Sequence, residues 1–146
     1  MTTEEKNLLL KDLSARVYYG VECKTNIVDH PVKLATAYIN GNVVFGVLMT
    51  KIDKVKPYLF PLSSMTKEQI IEFNQLGDLR IGGYPLDNES YAEPTIYSKT
   101  DSSGKCVEIC EYDIIPVVDW LNSHHFDYRG LIEKGLAIDA TGLNIY

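Results

Sequence analysis

Asn40-Gly41 sits between two arms, VKLATAYI (32–39) and VVFGVLMT (43–50). Both arms are rich in apolar and β-branched residues, which suit a pleated, half-buried surface. Asn-Gly accepts the positive φ angles that a tight two-residue hairpin turn needs. No other feature constrains the fold as tightly. It commits the middle of the chain to an antiparallel pair, and the apolar content of the arms puts that pair at the centre of a sheet.

The flanks carry other periods. Over residues 3–14, Leu9, Leu10 and Leu13 recur at helical spacing, and Thr2 with Glu5 forms a capping-box pattern. RVYYGVECKT (16–25) then switches to period two. Val17, Tyr19, Val21 and Cys23 fall on one face, with Arg16, Glu22 and Lys24 on the other, which predicts a half-buried strand. Asp29-His30-Pro31 is a turn. In PYLFPLSSMTKEQIIEFNQLG (57–77), Thr66 and Gln69 form a second capping box. Met65 and Ile70 form a hydrophobic staple, Phe73 continues the buried face and Gly77 is the stop. Pro57 and Pro61 place the preceding segment at a sheet edge or outside the sheet. DLRIGGYPLDNESYAEP (78–94) has no regular period, and a loop of this length is a candidate functional segment. TIYSK and KCVEICEY flank Asp101-Ser102-Ser103-Gly104 as a second hairpin. Pro116 suits the first turn of a further helix, whose apolar side is Val117, Val118 and Leu121.

This order lacks the regular βαβ alternation of a parallel sheet. It predicts one α+β domain over residues 1–146: a mainly antiparallel sheet of about five strands, with roughly three or four helices packed outside it. At 146 residues the chain is long enough to bury one sizeable core.

The stretch WLNSHHFDYRGLI (120–132) most resembles a site. His124, His125, Asp127, Tyr128 and Arg129 crowd into six positions. Each also has a structural role available. Asp127 is placed to cap a short helix from about 128 to 134, with Phe126 and Leu131 as its staple. Gly135 can end that helix with Leu136 packing back. The two histidines fall where the preceding helix closes, and partial negative charge there favours a cation. Adjacent helical side chains diverge by about 100°, so His124 and His125 do not form a metal pair by themselves. Acid–base chemistry through His125 and Asp127, with Arg129 holding an anion, is the catalytic alternative.

Elsewhere the signals are weaker. Cys106 and Cys110 alternate on a strand pattern that separates them by roughly 13 Å, too far for one zinc. Ile81-Gly82-Gly83-Tyr84-Pro85 lacks the Lys-Ser/Thr of a P-loop and reads as a turn. No serine lies in a nucleophile elbow. No metal or cofactor is expected.

Three cysteines do not suggest a disulfide framework, and the N-terminus lacks a signal peptide's charged start and apolar segment. No apolar run reaches the roughly 18 residues of a membrane span. The protein is therefore expected in the cytoplasm, away from membranes. Net charge is −6 and uneven. Residues 1–58 carry eight Lys/Arg against six Asp/Glu, and residues 59–146 carry six against fourteen. That balance disfavours bulk nucleic-acid binding, and Lys51, Lys54 and Lys56 read as a solvated loop. Ten tyrosines against four phenylalanines and one tryptophan suggest a partner surface or ligand pocket, or else half-buried strand positions. A strand edge carrying tyrosine offers one route to a homo-oligomer.

PYLFPLSSMTKEQ (57–69) and WLNSHHFDYRGLIEKGLAI (120–138), with LLLKDLSARVYYGV (8–21), resemble a family of small uncharacterised proteins of phages, prophages and mobile elements of gut bacteria. Tyr18 and Tyr19 stand where the family pattern reads Leu-Pro. The resemblance implies action inside an infected bacterium and supplies no catalytic residue. The function expected is a non-enzymatic binding protein for a host protein or small ligand. Its candidate surface combines Tyr84, Tyr91, His124, His125, Asp127, Tyr128 and Arg129. The alternative is a small hydrolase or nucleotide-modifying enzyme using His125, Asp127 and Arg129.

Overall fold

The structure is a computed structural model and describes residues 1–39, 42–46, 48–74, 76, 80–81, 96–97 and 111–146. Helix α1 (Thr3–Arg16) leads through a 3-10 turn (Val17–Tyr19) into strands β1 (Glu22–Lys24), β2 (Val32–Lys33), β3 (Thr36–Ile39), β4 (Asn42–Phe45) and β5 (Leu48–Lys51). A second 3-10 turn (Ile52–Lys54) precedes β6 (Lys56–Pro61). Then come α2 (Lys67–Asn74), β7 (Arg80–Ile81), β8 (Ile96–Tyr97), α3 (Glu111–Ser123), β9 (Phe126–Asp127) and β10 (Ile138–Asp139). Contacts divide the chain into two compact units, Met1–Pro61 with Asn122–Tyr146, and Leu62–Leu121.

The first unit is built on β6. On one side it pairs antiparallel with β1, which pairs antiparallel with β2. It also pairs parallel with β10 through Tyr58 and Leu59, and parallel with β9 through Phe60 and Pro61. The five-stranded sheet is therefore mixed, not mainly antiparallel. The reason is connectivity: residues 62–125 intervene between β6 and β9, and a parallel return needs a crossover of a dozen residues or more.

The proline reading is corrected at the same place. β6 is an inner strand although Pro57 and Pro61 lie within it. Its partners are only two or three residues long, so no neighbour requires an unbroken row of β6 N–H donors. The 16–25 strand is corrected too. Arg16 closes α1 and Gly20 turns the chain at φ 67, leaving only Glu22–Lys24 in the sheet. Arg16, expected on an outward face, is fully buried.

Asn40 and Gly41 lie outside the described residues. The register on either side, Ile39 opposite Asn42, is antiparallel as the hairpin reading expects. The second arm is not one strand, however. Gly46, at φ 61, breaks it into β4 and β5, which fold back on each other to give a separate sheet in the order β3-β4-β5. The core of this unit gathers Leu9 and Leu13 of α1, Cys23, Val43, Phe45 and Leu59 of the strands, Val21 and Val55 just before β1 and β6, and Leu131 and Leu136 near the C-terminus. Cys23 is a free thiol whose pKa burial pushes up, so it stays protonated and unreactive.

The helix starts agree with their punctuation. Thr2 and Glu5 exchange N–H···O bonds of 2.6 and 3.1 Å. Thr66 and Gln69 do the same at 2.9 and 3.2 Å. In the second unit Met65, Ile70 and Phe73 are buried, and Phe73 meets Trp120 edge-on at 5.3 Å. Arg80–Ile81 pairs antiparallel with Ile96–Tyr97, so residues expected in a loop form a strand beside one arm of the expected second hairpin. Glu111 and Tyr112, expected at the end of the other arm, open α3. Pro116 is exposed in the helix interior, not its first turn. The buried row Val117, Trp120 and Leu121 supplies packing against the cost of an interior proline. The 101–104 turn, Cys106, Cys110 and Gly77 lie outside the described residues. No helix among the described residues is long and apolar enough to cross a membrane.

Candidate functional site

The corner 122–132 forms where the chain leaves α3. His125 adopts a left-handed backbone at φ 60, a conformation usually left to glycine or asparagine after a helix end. Its N–H donates to Asn122 O at 3.1 Å, and its carbonyl accepts from Phe60 N at 2.9 Å. The reversal thus delivers Phe126 and Asp127 to the edge of β6.

The His125 ring is 8 % exposed and stacks on Tyr146, with centroids 3.9 Å apart and planes 11° from parallel. Tyr146 is held in turn. Its hydroxyl donates to Tyr58 O at 2.6 Å and accepts from Glu22 N at 3.2 Å. Burial, then the charges of Arg16, His124 and Lys33, push the His125 pKa down to about 4. Its Nδ1 is buried and makes no hydrogen bond among the described residues, so no acceptor rewards protonation there. The imidazole is neutral at pH 7. His124 is half-buried, with Nδ1 3.1 Å from Ser123 Oγ.

Asp127 does cap, but not a helix. Its Oδ1 accepts from Arg129 N at 3.3 Å and Leu131 N at 3.0 Å, and its Oδ2 from Ile132 N at 2.8 Å. The helix expected over 128–134 shrinks to a single turn because Gly130 sits at φ 68, outside helical space. The expected stop holds: Gly135 is also left-handed, Leu136 N donates to Leu131 O at 2.9 Å and Gly135 N to Ile132 O at 2.9 Å. These two bonds are the Schellman pairing. Asp127→Ala orphans three N–H donors and is expected to lose about 2 kcal/mol of stability, measured by urea unfolding. Asp127→Asn retains an acceptor and should lose less.

Tyr128 and Arg129 turn toward α1. Arg16 of α1 pairs with Asp12 one turn earlier through Nε–Oδ2 at 2.8 Å and Nη2–Oδ1 at 3.1 Å. Its Nη2 also donates to Phe126 O at 2.7 Å. Arg129 Nε lies 3.4 Å from Asp12 Oδ1, an ion pair without hydrogen-bond geometry. The guanidinium carbons of Arg16 and Arg129 lie 5.4 and 4.9 Å from the Tyr128 ring centroid, both over the ring. The Tyr128 hydroxyl donates to Asn122 Oδ1 at 3.1 Å and accepts from Arg129 Nη2 at 3.3 Å.

The corner therefore gathers Tyr128 and Arg129 with Asp12, Arg16 and Asn122, and His125 with Tyr146. Tyr84 and Tyr91 lie outside the described residues. Sequence reasoning missed Asp12, Arg16 and Tyr146. The i, i+4 acid-then-base spacing of Asp12 and Arg16 was the available signal. Nothing local marks Tyr146. Among the described residues no three His, Cys, Asp or Glu side chains come together as metal ligands. No family model, curated protein or solved structure matches the chain.

Proposed function

We propose that the chain is a small non-enzymatic binding protein of phage or mobile-element type, acting on a host protein or small ligand in the bacterial cytoplasm. The observation that carries this reading is Tyr18, which is 95 % exposed. It rides on the short 3-10 turn between fully buried Arg16 and left-handed Gly20, so its position is set by anchored neighbours on both sides. A tyrosine held out in water at low entropic cost is a contact residue of the kind that dominates protein interfaces.

The corner supports the same reading. Both Asp127 oxygens are engaged by backbone N–H groups, and Asp12 is engaged by two arginines. A His125 pKa of about 4 is poorly matched to acid–base work near neutral pH. The polar groups that resemble a catalytic set serve to hold α1, β9 and the C-terminus in place.

Tyr18→Ser tests the reading because an exposed side chain can be changed within about 0.5 kcal/mol of stability. Wild type and variant, both untagged, are incubated with bacterial host extract and compared by quantitative cross-linking and native mass spectrometry. A species that binds wild type and is retained at least about tenfold less by Tyr18→Ser is the expected result. Equal capture by both proteins, or substrate turnover by the pure wild type, would overturn it.

A further inference from the structure

Thr3, Lys6, Asn7 and Leu10 recur at i, i+3, i+4 and i+7 and form one face of α1. Opposite them, the end of β5 and the following turn contribute Lys51, Ile52 and Asp53. Together they line an open cleft of about 290 Å³. Ile52 is buried and Leu10 half-buried, giving the cleft an apolar floor. Lys6, Lys51 and Asp53 are exposed at its rim. Among the described residues, no ion pair or hydrogen bond engages these three side chains.

Two unpaired ammonium groups and one carboxylate leave the rim with a local charge of about +1, in a chain that carries −6 overall. Like charges lining one cleft repel, and an anion placed between them is favoured. The volume lies just under the roughly 300–1,000 Å³ of sites that take drug-sized ligands, which sets a smaller ligand. We propose that this cleft binds a free α-amino acid with an aliphatic side chain. The ligand carboxylate lies between Lys6 and Lys51, its ammonium faces Asp53, and its side chain covers Leu10 and Ile52. Asn7 and Thr3 supply neutral hydrogen bonds to the same polar end. The site is separate from Tyr18 and the 122–132 corner, so its failure leaves the binding role proposed above untouched.

The test is an amide chemical-shift titration of the full chain with four probes: L-leucine, 4-methylpentanoate, isoamylamine and inorganic phosphate. Leucine is expected to give saturable shifts at Lys6, Asn7, Leu10 and Ile52. 4-Methylpentanoate, which is leucine without the ammonium, should bind several-fold more weakly, and isoamylamine, which lacks the carboxylate, more weakly still. The double variant Lys6→Gln/Lys51→Gln removes two charge-assisted contacts and should weaken leucine by more than about tenfold, since one such contact alone contributes about that much. Asp53→Asn should bring leucine down to the level of 4-methylpentanoate. The lysine and aspartate positions are exposed, so all variants should fold, and amide spectra check this directly. No saturable response to leucine up to about 10 mM, tighter binding of phosphate than of leucine, or unchanged leucine affinity in the double lysine variant would each overturn the assignment.

Discussion

Asp12→Ala is expected to destabilise the protein by about 3–5 kcal/mol. Typical domains have only about 5–15 kcal/mol in total, so this is a large fraction of the whole. The reason lies in Arg16, which has no exposed surface and whose charge is balanced by Asp12 through two short bonds. Removing Asp12 leaves a guanidinium buried with one carbonyl partner, Phe126 O, and withdraws the charge partner of Arg129. The cost is that of an uncompensated buried charge, not of the contact itself. The double replacement Asp12→Leu/Arg16→Met should therefore recover most of the loss, because an apolar pair of similar volume needs no desolvation of charge. Urea unfolding of Asp12→Leu, Arg16→Met and the double variant closes the cycle. A loss below about 1 kcal/mol in Asp12→Ala would show that the pair is not buried as described.

Acid should weaken the fold through His125. In the folded chain its pKa is about 4, against an ordinary value of 6.5. Between those values the unfolded chain carries the proton and the folded chain does not, so stability rises with pH through the window and is lost as pH falls. The full difference is roughly 3 kcal/mol, at up to about 1.4 kcal/mol per pH unit. Carboxylates add their own dependence at the acid end, so the comparison is with His125→Phe. That variant retains a ring for Tyr146 to stack on and removes the titrating nitrogen. It will start less stable, since a bulky residue at positive φ is strained. The quantity read is the slope between about pH 6.5 and about pH 4. The wild-type slope should be steeper. Equal slopes in the two proteins would sink the assignment of acid sensitivity to this ring.

Both effects arise in or beside the stretch that reads most like a site in one dimension. Its charged and aromatic residues tie the chain reversal to α1 and to the C-terminus. The His125–Tyr146 stack joins residues far apart in sequence, and the Arg16–Phe126 bond does the same across 110 positions. No local pattern encodes such partners.

Local chemistry did determine much of this protein. Thr2 with Glu5 and Thr66 with Gln69 start their helices as their spacing requires, because a capping box is satisfied within four residues. Gly135 ends its turn because only a residue tolerant of positive φ fits there. Asp127 holds backbone N–H groups, as an aspartate before a turn can. Leu9, Leu13, Ile70 and Phe73 are buried, because a side chain's face follows directly from the period of its own segment. The tertiary structure alone decided the rest. It set the mixed pairing around β6, since strand direction depends on how the chain returns after residues 62–125. It kept Pro57 and Pro61 inside the sheet, since short partners leave no donor row to interrupt. It drew Arg16 out of a strand pattern and into the end of α1, where Asp12 and Phe126 O surround it. A residue's alternation with its neighbours measures only local fit, whereas burial of a charge depends on partners that only the folded chain assembles.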